Sequence, residues 1–267
     1  MTFAHASDLH FGRSVCGDVA ARRICEAVRS ARVDVLVVTG DLTHRGRMEE
    51  LEQFWEAFGP LARTGRLLVV PGNHDRLGDD VADEIQSGAR VSSWLGPGLG
   101  IVRVDSTGPQ NRRLVDAWGE LSARDLDRID EAVDALPDRG VRAVALHHHP
   151  LPLPEEGVSE RVARLVGLRC GRELSRGREL VRRLAGRCDL LLHGHRHLPS
   201  EAIVGAGGPR PLRILGAGST ASLGWMRVFP CEGGAAGEPR WLELPHHQRP
   251  PLRLPPGLGA PITSSIA

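Results

Sequence analysis

Apolar residues in this chain follow two periodicities that alternate along its first two-thirds. Short apolar runs at Thr2–Ser7, Asp34–Thr39, Arg66–Val70, Gly100–Val104, Val141–Leu146 and Asp189–Leu192 read as candidate strands. Between them the spacing lengthens to that of a helix. From Arg47 to Arg63, Met48, Leu51, Trp55 and Phe58 recur at helical spacing and predict one buried stripe. A second helix is predicted from Ser122, with Asp125 three residues on as a capping partner and Leu126, Ile129, Val133 and Leu136 on one face. Pro137 and Gly140 end it. Strands alternating with helices predict an α/β domain, and every one of these stripes reads as core packing.

After His197 the texture changes. Glu201–Gly205, Leu212–Leu215, Trp225–Phe229 and Arg240–Leu244 read as four short strands punctuated by Gly and Pro, with no helix between them. A helix-alternating part followed by a strand-rich part predicts two sheets packed face to face, with helices outside. From Pro245 the chain is rich in Pro and Gly and reads as a loosely ordered tail, residues 245–267, after a single domain over residues 1–244.

Composition narrows the function classes. With 41% hydrophobic and 25% charged residues the chain is ordinary globular protein, large enough to bury a core without disulfides. A net charge of +1 gives no bulk pull toward nucleic acid or a membrane surface. No apolar run approaches a membrane span, and the opening MTFAHASDLH does not read as a signal peptide. Cys16, Cys25, Cys170, Cys188 and Cys231 are scattered and form no C-x-x-C pair, which suits free thiols in a reducing cytoplasm. The arginine-rich stretch Arg161–Arg187 has no interleaved aromatics to stack bases, so it reads as a solvated helix face rather than a nucleic-acid track.

The chemistry sits where the strands end. The first predicted strand exits into Asp8-Leu9-His10, the second into Gly40-Asp41, and the third into Gly72-Asn73-His74-Asp75. VRAVALHHHP delivers His147, His148 and His149, and DLLLHGHRH delivers His195-Arg196-His197. These five sets of oxygen and imidazole donors should converge on one sheet edge, where open α/β sheets place their ligands. Glycines 40, 72 and 194 are expected to permit the sharp exits. Carboxylates, an amide oxygen and neutral imidazoles suit Mn, Fe, Co or Zn. A carboxylate such as Asp41 can bridge two ions, and two ions about 3.5–4 Å apart form the clamp for in-line phosphoryl chemistry. Of the triple histidine one is expected to be a ligand, His147 before His148 or His149. His44 reads either as a substrate contact or as a surface loop residue, and His193 as a hydrogen-bonded strand residue.

The series D-x-H, GD, GNHD, H and GHxH over Asp8–His197 resembles the calcineurin-like metallophosphoesterase superfamily. The resemblance implies a four-layer αββα sandwich of two mixed β-sheets flanked by helices, around a dimetal centre. It implies Asp8, His10, Asp41 and His197 on one ion, and Asp41, Asn73, His147 and His195 on the other. His74 would lie outside the ligand set, steadying the phosphate and assisting the leaving oxygen, with Asp75 orienting it. The LHHHPLP stretch further resembles class III cyclic nucleotide phosphodiesterases. That likeness implies Mn²⁺ or Fe/Mn ions, with Zn²⁺ or Co²⁺ as alternatives, and a hydroxide shared between them that opens 3′,5′-cyclic AMP to 5′-AMP. The opening AHASDLHFGR is similar to SbcD-type DNA repair nucleases, which keeps a nuclease as the alternative. A non-catalytic scaffold of the same fold is a third reading. The late strands and the tail offer a surface for a homodimer, and no membrane partner is expected.

Overall fold

A computed structural model describes residues 1–153 and 172–245, with the backbone of Ile262–Thr263. One sheet contains the parallel trio β1 (Thr2–Ala6), β2 (Val35–Thr39) and β3 (Leu67–Val70). It is extended antiparallel from β1 by β10 (Trp225–Glu232), which in turn pairs β11 (Ala235–Ala236) and β12 (Arg240–Glu243). The other sheet runs β13 (Ile262–Thr263), β8 (Ser200–Val204), β9 (Leu212–Gly216), β7 (Leu190–His193), β6 (Val141–Ala145), β5 (Leu99–Val104) and β4 (Val91–Gly96).

Side-chain alternation explains the layering. On β2, Val35 and Val37 face the other sheet, while Leu36 and Val38 face helices α1 (Val15–Ser30) and α2 (Met48–Ala62). On β5, Leu99 and Ile101 join the inter-sheet core, while Val102 and Val104 face α4 (Ala123–Asp134) and α5 (Gly177–Leu184). The short α3 (Ala82–Gln86) precedes β4. Helix, sheet, sheet, helix: this is the four-layer αββα sandwich. Both faces of the central strands are buried, which is why their sequences read as unbroken apolar runs.

The helix starting at Ser122 forms as predicted. Ser122 Oγ accepts from Asp125 N at 3.1 Å, and Asp125 Oδ2 accepts from Ser122 N at 2.9 Å. The α2 stripe differs by one turn. Met48, the first helical residue, is exposed, and Phe54 takes its place in the core between Leu51 and Phe58. The strand-rich part does not build a sheet of its own, since β8 and β9 complete one sheet and β10–β12 the other. Nor is it free of helix: α6 (Thr220–Leu223) lies between β9 and β10, begun by Ser219 and ended by left-handed Gly224. The tail expected from Pro245 lies outside the described residues, apart from Pro245 itself and Ile262–Thr263, whose backbone pairs with Ala202–Ile203 of β8. Residues 161–171 of the arginine-rich stretch, Cys170 among them, also lie outside. In its described part Arg183 reaches Asp130 at 2.8 Å and Arg187 reaches Asp134 at 2.6 Å, tying α5 and the turn after it to α4 on the outer surface. Among the described residues no helix is long and apolar enough to cross a membrane.

Candidate metal centre

Within each sheet the parallel strands end in register; the donors come from two sheets rather than one sheet edge, and their exits open on one edge of the sandwich. Ala6 pairs with Val38, Thr39 with Val70, and Ala145 with Leu192. The loops are then sewn together, with Asp8 N donating to Gly40 O at 3.1 Å, His10 N to Asp41 O at 3.0 Å, and Gly194 N to His147 O at 2.9 Å. Asp8, His10, Asp41 and His195 all take left-handed backbone, at φ 54°, 51°, 52° and 68°. Such conformations cost about 1–3 kcal/mol each and persist only where the surroundings enforce them. Four of them among seven candidate donors mark this edge as the place where the fold accepts strain.

Gly40 is left-handed at φ 87°, as its sharp exit requires. Gly72 and Gly194 are needed for another reason, space. A Cβ on Gly72 would lie 2.2 Å from Asp41 Oδ1, and one on Gly194 would lie 1.8 Å from Ser7 Oγ and 2.8 Å from Asp8 Oδ2. Ser7 Oγ is itself fixed, donating to Thr39 O at 2.8 Å. A Gly194→Ala variant should therefore be overpacked by about 1–3 kcal/mol, lowering Tm by at least roughly 2 °C. A thermal melt matching the parent would contradict this packing.

The seven predicted donors are brought together, in two groups that meet at Asp41. On one side His10 Nε2 lies 3.8 Å from Asp41 Oδ2 and 3.3 Å from His197 Nε2, and His197 Nε2 lies 3.9 Å from Asp8 Oδ1. On the other, His147 Nε2 lies 3.4 Å from Asp41 Oδ1 and 3.1 Å from Asn73 Oδ1, which also faces His195 Nδ1 at 2.9 Å. The sites overlap the groups Asp8/His10/His197 and Asp8/Asp41/His147, whose ligand atoms all lie within 4.8 Å of one another. Asp8, His10, Asp41, Asn73 and His147 are buried, whereas the His197 side chain is 44% exposed and opens the cluster to solvent.

The protonation states suit a cation. His147 Nδ1 sits 2.7 Å from Thr39 O, an acceptor only, so Nδ1 carries a proton and Nε2 is the nitrogen turned to the site. Nε2 faces a carboxylate oxygen and an amide oxygen, a set of atoms that a cation can join in place of a proton. Burial drives His10 and His195 well below the ordinary imidazole range, keeping them neutral and able to ligate. Burial alone would raise the Asp41 carboxyl, but His147, His74, His10 and the His74 N–H together hold it well below the usual carboxylate range. The residues therefore fit a pair of divalent ions, with Asp41 between them.

His74 stands at the rim, 18% exposed, with Nε2 4.0 Å from Asp41 Oδ2. Its ring is not oriented by Asp75, contrary to the expectation from sequence. Nδ1 donates to the His44 carbonyl at 2.6 Å, and the His44 ring stacks on it with centroids 5.6 Å apart. Asp75 instead lies beneath, accepting from Thr43 N, Thr43 Oγ1 and Gly72 N at 2.9, 2.7 and 2.8 Å and so clamping the Asp41 and Asn73 loops together. Burial, with Asp41 close by, pushes its carboxyl up to about 6. His44 thus lies against His74 rather than on an unrelated loop. His193 is hydrogen-bonded to Ser200 Oγ and the Gly194 carbonyl. Ser219 and Thr220 support the first loop from α6: Ser219 Oγ donates to Asp8 O, and Thr220 Oγ1 accepts from Ser7 N.

The sequence model of the Calcineurin-like phosphoesterase family matches residues 1–199, three-quarters of the chain. The chain belongs to this family. As a calcineurin-like phosphoesterase it is 30% identical, over 74% of its length, to a probable cyclic nucleotide phosphodiesterase of Rhodococcus erythropolis. It is 28% identical, over 71% of its length, to the 3′,5′-cyclic adenosine monophosphate phosphodiesterase CpdA of Pseudomonas aeruginosa. These matches span 65% and 61% of the relatives' own lengths, under two-thirds of each. Among solved structures, a dimetal phosphatase from Danio rerio superposes with a TM-score of 0.62 at 11% identity, covering 91% of this chain and 99% of that one. A purple acid phosphatase from yellow lupin gives 0.59 at 12% identity, covering 82% and 44%. These two likenesses are of fold.

Proposed function

We propose that this calcineurin-like phosphoesterase is a dimetal hydrolase of small phosphodiesters, with 3′,5′-cyclic AMP as its foremost substrate. The observation that carries the reading is the position of Asp41, one carboxylate oxygen toward each of two donor groups drawn from both sheets. Asp8, His10, Asp41 and His197 would hold one ion, and Asp41, Asn73, His147 and His195 the other. Four imidazoles with hard oxygens suit Mn²⁺ or an Fe/Mn pair, and also Zn²⁺ or Co²⁺. When bound, the pair supplies an acidified water and neutralises charge on the phosphoryl oxygens.

The chain's own residues do the rest. The His44 carbonyl fixes the His74 tautomer with its Nδ1 proton directed away from the site, so Nε2 is the atom that faces a bound phosphodiester. With Nδ1–H engaged, the ring can give a proton from Nε2 only as the imidazolium, and a proton there, opposite the Asp41 carboxylate, is placed for the departing alkoxide. Asn73 brings its amide oxygen between His147 and His195. An Asn73→Ala variant should therefore lose one equivalent of bound metal and at least about a hundredfold in kcat, as removal of a single preorganised group does in other enzymes. Unchanged metal content and rate would remove Asn73 from the site. Free Cys16, Cys25, Cys188 and Cys231 are consistent with a cytoplasmic enzyme.

The test is hydrolysis of 3′,5′-cyclic AMP in Mn²⁺ beside an aryl phosphodiester and single-stranded DNA. Turnover of the cyclic nucleotide above roughly 1 s⁻¹ supports the reading. Cleavage of the aryl diester alone keeps the chemistry and discards the substrate, and cleavage of DNA alone makes the protein a nuclease. No turnover of any of the three in Mn²⁺, Zn²⁺ or Co²⁺ overturns the enzymatic reading.

A further inference from the structure

The second histidine of the 147–149 run has no role in the site as drawn so far. His148 is fully buried, and its ring lies 5.0 Å from His147 and 4.9 Å from His195, centroid to centroid. Nδ1 is anchored 2.8 Å from Ser106 Oγ, itself fully buried at the exit of β5. The other ring nitrogen, Nε2, is buried with no hydrogen-bond partner. An unsatisfied buried polar atom costs about 1–3 kcal/mol, so its presence calls for an explanation. One nitrogen from each of His147, His148 and His195 lies within 4.8 Å of the other two.

Resting on the dimetal reading above, we propose that His148 supplies a further imidazole nitrogen to the second metal position and sets its choice of ion. The Ser106 hydroxyl plays the part of the partner that a ligating histidine usually has on its other ring nitrogen. With the ring proton on Nδ1, the tautomer the proposal requires, the hydroxyl accepts from Nδ1–H, fixes the ring and leaves the Nε2 lone pair for the metal. Three imidazoles beside Asn73 and Asp41 make the position rich in nitrogen. Such a position favours Zn²⁺, Co²⁺ or Fe²⁺ over Mn²⁺ more strongly than two imidazoles do, because Mn²⁺ gains least from nitrogen donors. The first position, with His10 and His197 beside two carboxylates, has no such excess. The two ions of one centre are thereby given different preferences by a residue outside the seven donors.

The experiment is a titration of metal-free protein with Co²⁺, following the visible d–d absorption and the bound equivalents, repeated with Mn²⁺ by calorimetry. The parent protein is compared with His148→Gln and Ser106→Ala variants, each checked by thermal melting. The expected result is two Co²⁺ equivalents in the parent. In His148→Gln, Co²⁺ should bind the second position at least about tenfold more weakly, the size of effect that loss of a supporting group produces. Its spectrum should change, while Mn²⁺ binding shifts less. Ser106→Ala, which keeps the imidazole and removes its anchor, should move Co²⁺ affinity in the same direction by a smaller factor, and it carries the test alone where His148→Gln does not fold. Two Co²⁺ equivalents with an unaltered spectrum and unaltered Co²⁺/Mn²⁺ preference in the folded variants would overturn the role of His148 and leave the dimetal centre standing. Fewer than two equivalents in the parent would overturn both.

Discussion

An Asp41→Ala variant should lose at least about three orders of magnitude in kcat/KM, since several kcal/mol of transition-state stabilisation depend on the ions and each decade is worth about 1.4 kcal/mol. Its bound metal should fall from two equivalents to fewer than one. The reason is geometric. Asp41 Oδ2 faces His10 and His74 while Oδ1 faces His147, so its two carboxylate oxygens turn to different donor groups. Oδ1 also accepts from His74 N at 2.8 Å, so the change loosens the loop that carries His74. An Asp41→Asn variant separates charge from shape. It keeps an acceptor for His74 N but loses the negative charge, so it should fold like the parent and still bind metal poorly. Metal analysis by mass spectrometry beside turnover decides the matter. Two equivalents of metal with an undiminished rate in either variant would mean that Asp41 does not join the two positions.

Much of this arrangement was legible in the sequence, for identifiable reasons. Strands buried on both faces declare themselves as apolar runs, and a donor placed immediately after each run is carried to the shared edge. Asp8, Asp41, Asn73, His147 and His195 could therefore be placed together without knowing the order of strands in the sheets. What escaped was information no local pattern carries. The His44 carbonyl that orients His74 is a backbone atom, which any residue at position 44 offers. The family resemblance gives Asp75 the role of orienting His74, yet the 3₁₀ turn His74–Arg76 sends its carboxylate under the loops instead. Gly72 and Gly194 signal glycine but not why, since the atoms that forbid a Cβ belong to Asp41 and Ser7, distant in the chain. Strand β4 was missed because it is a half-buried edge strand, with Ser92 and Ser93 in place of an apolar run. The pairing of β10 with β1 joins opposite ends of the described chain, a contact that spacing does not encode.

Stripping the metal should cost the protein stability as well as activity. Chelation followed by gel filtration should reduce phosphodiester turnover to background and lower Tm, and Mn²⁺ should restore both. A site filled at about a thousand times its Kd adds about 4 kcal/mol to the folded state. At roughly 2–4 °C per kcal/mol for a chain slightly shorter than this one, a single such site amounts to a fall of about 8 °C or more. The cluster explains why the loss should be felt in the fold. His147 Nε2 lies against Asn73 Oδ1 and Asp41 Oδ1, and the His10 and His197 Nε2 atoms lie 3.3 Å apart at the ends of two separate sheets, so a cation would tie the two sheets together. Four left-handed backbone residues hold those donors in place, and a bound cation would offset part of their strain. A chelated protein that melts with the parent yet is inactive would separate these effects, placing the ions in the chemistry alone and the strain in the loop hydrogen bonds. Full activity after chelation would remove metal from the reaction altogether, and with it the reason for gathering seven donors at one edge.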